Sequence, residues 1–266
     1  MAWIPPIATG AIASSISADG IHPDTVNLRD RIIAAGSTIS ASHLSAVNDF
    51  VEGCYADGTR SAIKDCGLFV GDSLTGALQK LWYVNTSTLT NFSFVEGDYT
   101  LTGGLSSVAA NKYLLTEEST SSLSIPSDNS HLSFFSIAGN PVGAFREIGV
   151  RDSDDFQLII SFNGESYYRS HVAGSAIEAA PSPGTIGYFI GSTGSTGSYI
   201  HRNGTEYVSN ANTGWGATTT NLISVFRALN YSQKASTGYT IGNHLTSAQA
   251  ILLNNRFQSL KTALGR

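Results

Sequence analysis

Tyr199-Ile200-His201-Arg202-Asn203-Gly204-Thr205-Glu206-Tyr207-Val208 decides the fold of this chain. A two-residue type I′ turn needs positive φ at both central positions, and Asn-Gly meets that demand best. The runs 199–202 and 205–208 therefore pair antiparallel around Asn203-Gly204. Runs of the same strand-like kind recur at 91–95, 112–115, 131–138, 145–151, 156–162, 187–191 and 222–229. Their Gly, Asn and Ser punctuation fits a sandwich or barrel better than a parallel sheet. Within 131–138, Leu132, Phe134 and Ser136 share one face and Ser133, Phe135 and Ile137 the other. Apolar residues on both faces predict a central strand. Asp152-Ser153-Asp154-Asp155 reads as another hairpin tip, and 191–198, made only of Gly, Ser and Thr, as a flexible loop.

Helical signals flank this β region. Thr246 with Gln249 three residues later makes a capping box, and Leu253, Phe257, Leu260 and Leu264 then step by four, three and four. That is an amphipathic helix of about five turns. Upstream, Asp24 predicts an N-cap for a helix through Leu28, Ile32 and Ile33 that stops at Gly36. A second helix carries Leu44, Val47, Val51 and Cys54 on one stripe and ends at Gly58. The run from Ala62 to Val70 predicts a short helix leading into a buried strand. The organisation expected is an extended arm over 1–24, a helical lead-in or anchor over 25–76, and a sandwich with its closing helix over 77–266.

Composition narrows the function classes. The 266 residues are 41% hydrophobic but only 13% charged, against about 25% in an average soluble domain. Ser, Thr, Asn and Gly replace the charges, which suits strands and tight turns, or a surface covered by neighbours in an assembly. A net charge of −5 with 15 scattered basic residues argues against nucleic acid, since phosphate binding needs clustered Lys and Arg. No stretch approaches the roughly 20 apolar residues of a membrane span. Residues 1–20 lack a basic start and are interrupted by Pro5 and Pro6, so they are not read as a secretory signal. Cys54 and Cys66 form no disulfide framework; buried thiols of a reducing cytoplasm are the favoured reading, with a bond between them left open.

Several short motifs, in order, resemble a known family. Tyr199 through Gly204 looks like the hairpin of concanavalin A-like and laminin-G-like sandwiches. Val47-Asn48-Asp49-Phe50-Val51, Leu78-Gln79-Lys80-Leu81, Gly97-Asp98-Tyr99-Thr100 with Gly103-Gly104-Leu105, Tyr239-Thr240-Ile241-Gly242 and the ending Leu264-Gly265-Arg266 resemble virion structural proteins of tailed bacteriophages. The segment 71–77 departs from that pattern. The resemblance implies an antiparallel, concanavalin A-like jelly-roll β-sandwich. It also implies a virion component of the tail, fibre or capsid surface, made in the host cytoplasm and acting through other virion proteins and a host-surface glycan. A homo-oligomer, such as a trimer, is expected because the helical faces need partners. The alternative is a carbohydrate-binding module or glycan hydrolase on the same sandwich.

Candidate chemistry is sparse. Glycoside hydrolysis needs two carboxyl groups held close together. Glu147 stands alone in its strand, and turn chemistry already explains Asp152, Asp154 and Asp155. Those three aspartates also offer oxygen ligands for Ca²⁺, but the remaining ligands of a calcium loop are missing. Six histidines are dispersed, with no spacing that suggests zinc, and neither a Gly-x-Ser-x-Gly elbow nor a phosphate loop occurs. No enzymatic activity and no catalytic residue is expected. Aromatics near predicted loops and strand ends, Trp215, Tyr199 and Tyr207 foremost, are the candidate glycan-stacking residues. Tyr167, Tyr168 and Tyr188 share that neighbourhood, and large aromatics equally supply cores and subunit contacts.

Overall fold

A computed structural model describes residues 20–107, 111–139, 146–150, 155–162, 165–170, 177–179, 184–211, 213, 216–228 and 230–266. In chain order the strands are β1 (Ile63–Gly67), β2 (Thr90–Phe92), β3 (Tyr99–Thr100), β4 (Gly104–Ser106) and β5 (Tyr113–Leu115). Then come β6 (Ser130–Gly139), β7 (Ile148–Val150), β8 (Phe156–Phe162), β9 (Glu165–Ser170) and β10 (Ile177–Ala179). The last are β11 (Gly187–Gly194), β12 (Gly197–Arg202), β13 (Thr205–Asn210), β14 (Ser224–Val225) and β15 (Lys234–Gly242). The helices are α1 (Pro23–Ala34), α2 (Ala41–Ala56), α3 (Leu74–Ala77) and α4 (Ser247–Ala263).

Among the described residues the strands form two antiparallel sheets, an eight-stranded one in the order β13-β12-β11-β6-β15-β4-β3 with β1 also on β15, and a seven-stranded one in the order β10-β9-β8-β7-β14-β5-β2. Leu132, Phe134, Phe189, Tyr239 and Ile241 of the first sheet meet Leu114, Ile148, Phe156, Leu158 and Val225 of the second in one core. This is the expected β-sandwich with a closing C-terminal helix. A second core lies on the other face of the eight-stranded sheet. There Phe135, Tyr188, Ile190 and Tyr199 pack against Leu28 and Ile32 of α1, Val47, Phe50 and Val51 of α2, and Leu253, Phe257 and Leu260 of α4.

The two-sided run in β6 thus has its physical cause: Phe134 faces the other sheet and Phe135 faces helices. The same cover explains much of the low charge. Ser133, Ser136, Thr237 and Thr240 are wholly buried in the middle of the sheet. Ser133 Oγ accepts from Thr240 N–H at 2.9 Å and from the Tyr188 hydroxyl at 2.8 Å. Small hydroxyl side chains fit strands covered on both faces because they take little room and, as at Ser133 and Thr240, can bond to a neighbouring strand.

The helical lead-in is not separate from the sandwich. Its strand β1 pairs with β15 across the expected boundary at residues 76 and 77, Cys66 opposite Thr240 and Gly67 opposite Tyr239. The helical faces from which an oligomer was expected are covered within the chain by the eight-stranded sheet. The first nineteen residues of the arm lie outside the described residues. Cys54 and Cys66 are buried free thiols, and burial pushes the Cys54 thiol up to about 12. No described helix is long and apolar enough to cross a membrane.

Local chemistry corrects two further expectations and explains one strand that the sequence reading does not pick out. Helix α1 is capped by His22, whose Nδ1 accepts from Asp24 N–H at 3.1 Å, because Pro23 occupies the first helical position and has no N–H of its own. The Gly-Ser-Thr stretch 191–198 is no loop but the tight junction of β11 and β12, with Gly194 opposite Gly197. Its glycines are required by packing: a Cβ at Gly191 would overlap the Tyr168 ring, and one at Gly194 the His244 ring. Finally, β15 escapes the alternation test although it is central, because it carries small and polar residues buried on both faces.

Candidate functional site

The opening hairpin builds the site. Asn203 (φ 50°) and Gly204 (φ 78°) make the turn, which sets Arg202 opposite Thr205 and His201 opposite Glu206. A bulge follows, so that Ile200 pairs with Val208, Tyr199 with Ser209 and Ser198 with Asn210, leaving Tyr207 as the extra residue. Tyr199 lies on the helix side of the sheet, and the N-terminus of α4 comes down beside it. Ser192 Oγ is the pin: it accepts from Leu245 N–H at 3.0 Å and lies 2.9 Å from His244 Nδ1. The Tyr199 hydroxyl donates to the Leu245 carbonyl. Between hairpin and helix is a cleft of about 610 Å³, lined by Ser198, Tyr199, Glu206, Ser209, Asn210, His244, Thr246 and Ser247 among others.

The lining is mostly hydroxyl, amide and carboxylate. Glu206 Oε2 accepts from Ser247 Oγ at 3.0 Å and lies 3.6 Å from His201 Nε2. A hydrogen bond from Ser209 holds its carboxyl below the usual range, helped by Ser247 and His201, so it is ionised at neutral pH. Burial lowers the pKa of both His201 and His244, which favours neutral imidazoles. Ser247, His201 and Glu206 are the residue types of a nucleophilic triad, but their wiring differs. Ser247 Oγ (3.3 Å) and Glu206 both approach His201 Nε2, while buried Nδ1 has no hydrogen-bond partner. A relay needs the serine and the acid on opposite ring nitrogens. Among the described residues no group of three His, Cys, Asp or Glu is placed to hold a metal ion.

Of the aromatic candidates, Tyr199 lines the cleft with its hydroxyl already engaged, Tyr207 is half-buried on β13 outside the lining, and Trp215 lies outside the described residues. Tyr168 and Tyr188 are core residues, and Tyr167 is half-buried and donates to Glu165. Asp152 and Asp154 also lie outside the described residues. Asp155 is buried, paired with Arg169 and bonded by Gln157 Nε2 at 2.9 Å. Glu147 is fully buried beside Lys234 at 3.7 Å, and burial raises its carboxyl to about 7. Glu206, Asn210, His244 and Ser247 were missed as site residues. The juxtaposition of His201 and Glu206 could have been counted from the Asn203-Gly204 turn, but the contribution of α4 has no local signal.

No family model and no curated protein matches the sequence. Solved structures do share the fold. Trypanosoma rangeli sialidase, in complex with a difluoro-KDN, aligns at a TM-score of 0.50 and 10% identity over 79% of this chain and 39% of that one. The same sialidase with the inhibitor DANA gives 0.50 and 10% over 79% and 38%. Domain 4 of a GH43 arabinanase from Geobacillus stearothermophilus aligns at 0.40 and 10%, covering 65% of this chain and 82% of that domain. This chain thus spans well under half of the sialidase chains it matches. The likeness to the sialidase shows the sandwich fold. It also corrects the expectation of no enzymatic activity: the fold is shared with glycosidase chains, so missing motifs give no ground for that exclusion.

Proposed function

We propose that this chain is a carbohydrate-binding sandwich whose cleft, between the β12–β13 hairpin and the start of α4, takes a neutral saccharide. The observation that carries the reading is ionised Glu206 at the wall of an open cleft whose other polar groups are hydroxyls, the Asn210 amide and the His244 imidazole. A carboxylate offers two oxygens to adjacent sugar hydroxyls, while Asn210, Ser198 and Thr246 supply both donors and acceptors. Ionised Glu206 on the wall disfavours an anionic ligand in this cleft. The sandwich shared with sialidases adds a fold found in sugar-acting chains. In this reading the resemblance of the sequence motifs to tailed-phage virion proteins would place the glycan on a host surface and the chain in the virion.

Titration calorimetry of the whole chain against a panel of neutral oligosaccharides is the test. Glu206→Gln and Asn210→Ala are each expected to weaken the best ligand roughly tenfold or more, the size of one charge-assisted hydrogen bond. A panel with no ligand, or a ligand indifferent to both substitutions, sinks the proposal. Release of cleaved sugar that stops in the Glu206→Gln protein would turn the cleft from a binding site into a catalytic one.

A further inference from the structure

A second surface, on the other sheet, carries unused chemistry. Phe92 at the end of β2 lies directly across from Tyr113 of β5, and their rings stack at 4.4 Å and 5°. Tyr113 neighbours the core residue Leu114 in its strand and so points away from the sandwich interior. Tyr231 adds a third ring 6.0 Å from Tyr113. The Arg227 guanidinium lies over both tyrosines, 4.5 Å from the Tyr113 centroid and 5.5 Å from that of Tyr231. All four side chains are half-exposed.

Among the described residues no carboxylate pairs with the charge on this platform. Arg256 has Asp57, Arg169 has Asp155, Lys112 has Asp98 and Lys80 has Asp65. A backbone bridge sets Arg227 beside Tyr231, and its guanidinium, with no hydrogen bond or ion pair among the described residues, lies against the two tyrosine faces. Stacking fixes the plane of a guanidinium and strips water from its faces, but leaves its edge N–H donors open. Those donors match a carboxylate in bidentate geometry, and the adjoining aromatic faces match the apolar face of a sugar ring. A single arginine on a chain of net charge −5 suits one carboxylate rather than a phosphate polymer.

We infer that Phe92, Tyr113, Tyr231 and Arg227 form a binding subsite for a carboxylated sugar residue of the uronic acid class. It is distinct from the hairpin cleft, which is lined by β12, β13 and the start of α4, and does not depend on that cleft binding anything. The probes are trigalacturonate and its neutral counterpart galactotriose, titrated into the full chain with ring resonances followed by NMR. Trigalacturonate is expected to shift the Tyr113 and Tyr231 signals. Arg227→Gln should weaken it at least tenfold and Arg227→Lys less, because lysine keeps the charge without the fork. Galactotriose affinity should not respond to Arg227→Gln, nor trigalacturonate affinity to Glu206→Gln. Tyr231→Ala, outside the strands, is a second variant expected to lose trigalacturonate should Arg227→Gln perturb the fold. The inference is overturned by an absence of trigalacturonate binding, by equal binding in Arg227→Gln and Tyr231→Ala, or by a single-stranded oligonucleotide that binds these residues in preference.

Discussion

Lys80→Met is expected to lower stability by about 3–5 kcal/mol at neutral pH, the usual cost of removing one partner of a buried ion pair. At roughly 2–4 °C per kcal/mol for a chain of this size, the melting midpoint should fall by on the order of 10 °C. Lys80 and Asp65 are both fully buried, and Lys80 Nζ donates to Asp65 Oδ2 at 2.6 Å and to the Thr116 carbonyl at 2.8 Å. The Tyr239 hydroxyl donates to Asp65 Oδ1 at 2.7 Å. The group therefore ties β1 to central β15 and to the loop that follows β5. Burial raises the Asp65 carboxyl to about 6 even with Lys80 opposing it. A raised carboxylate pKa favours folding below the unfolded value near 4, and that benefit is lost as pH rises through the folded value. Without Lys80 the rise is larger, so the penalty of Lys80→Met should shrink towards pH 4 and grow towards pH 8. Urea unfolding followed by circular dichroism at several pH values measures this. Restoring most of the loss by adding Asp65→Leu would confirm that the stranded charge is the cause, whereas a pH-independent penalty would point to packing alone.

Phe257→Ala should cost about 3–5 kcal/mol, because a large buried ring leaves a cavity at the meeting point of four elements. Phe257 of α4 is fully buried. It stacks on Tyr188 of β11 at 4.5 Å, meets Phe50 of α2 edge-on at 4.9 Å and approaches Phe135 of β6 at 6.2 Å. It is the ring that fastens the helix layer to the sheet. Since the core between the sheets shares none of these rings, the loss should be uneven. Native-state hydrogen exchange is expected to show α2 and α4 amides losing protection before those of β7 and β8. Equal loss in both layers would mean that helices and sandwich unfold as one unit. The cleft rests on the same joint through Leu245 and Ser192, so ligand binding there should weaken alongside α4 protection.

Legibility of the site follows the distance over which its parts are joined. His201 and Glu206 face each other because a two-residue turn admits one register, and that pairing can be counted from Asn203-Gly204. His244 and Ser247 reach the same cleft only because the apolar face of α4 docks on the sheet some forty residues later in the chain. Arg227, Tyr113 and Phe92 are spread over three segments, and nothing local to any of them marks the platform.

The amino-acid sequence by itself determined the elements whose cause is local. Thr246 and Gln249 with the Leu253, Phe257, Leu260 and Leu264 stripe specified α4, Asn203-Gly204 specified its hairpin, and the two-faced apolar run specified β6 as central. Each rests on backbone geometry or periodicity acting within a few residues. Tertiary structure alone decided that β15 is a central strand, that 191–198 is two strand ends joined by a tight turn rather than a flexible loop, and that β1 of the helical lead-in pairs with the sandwich. In those segments small and polar residues are buried by a ring, a sheet or a helix from far along the chain. A covered Ser, Thr or Gly looks no different in sequence from an exposed one, and only the neighbour that covers it tells them apart.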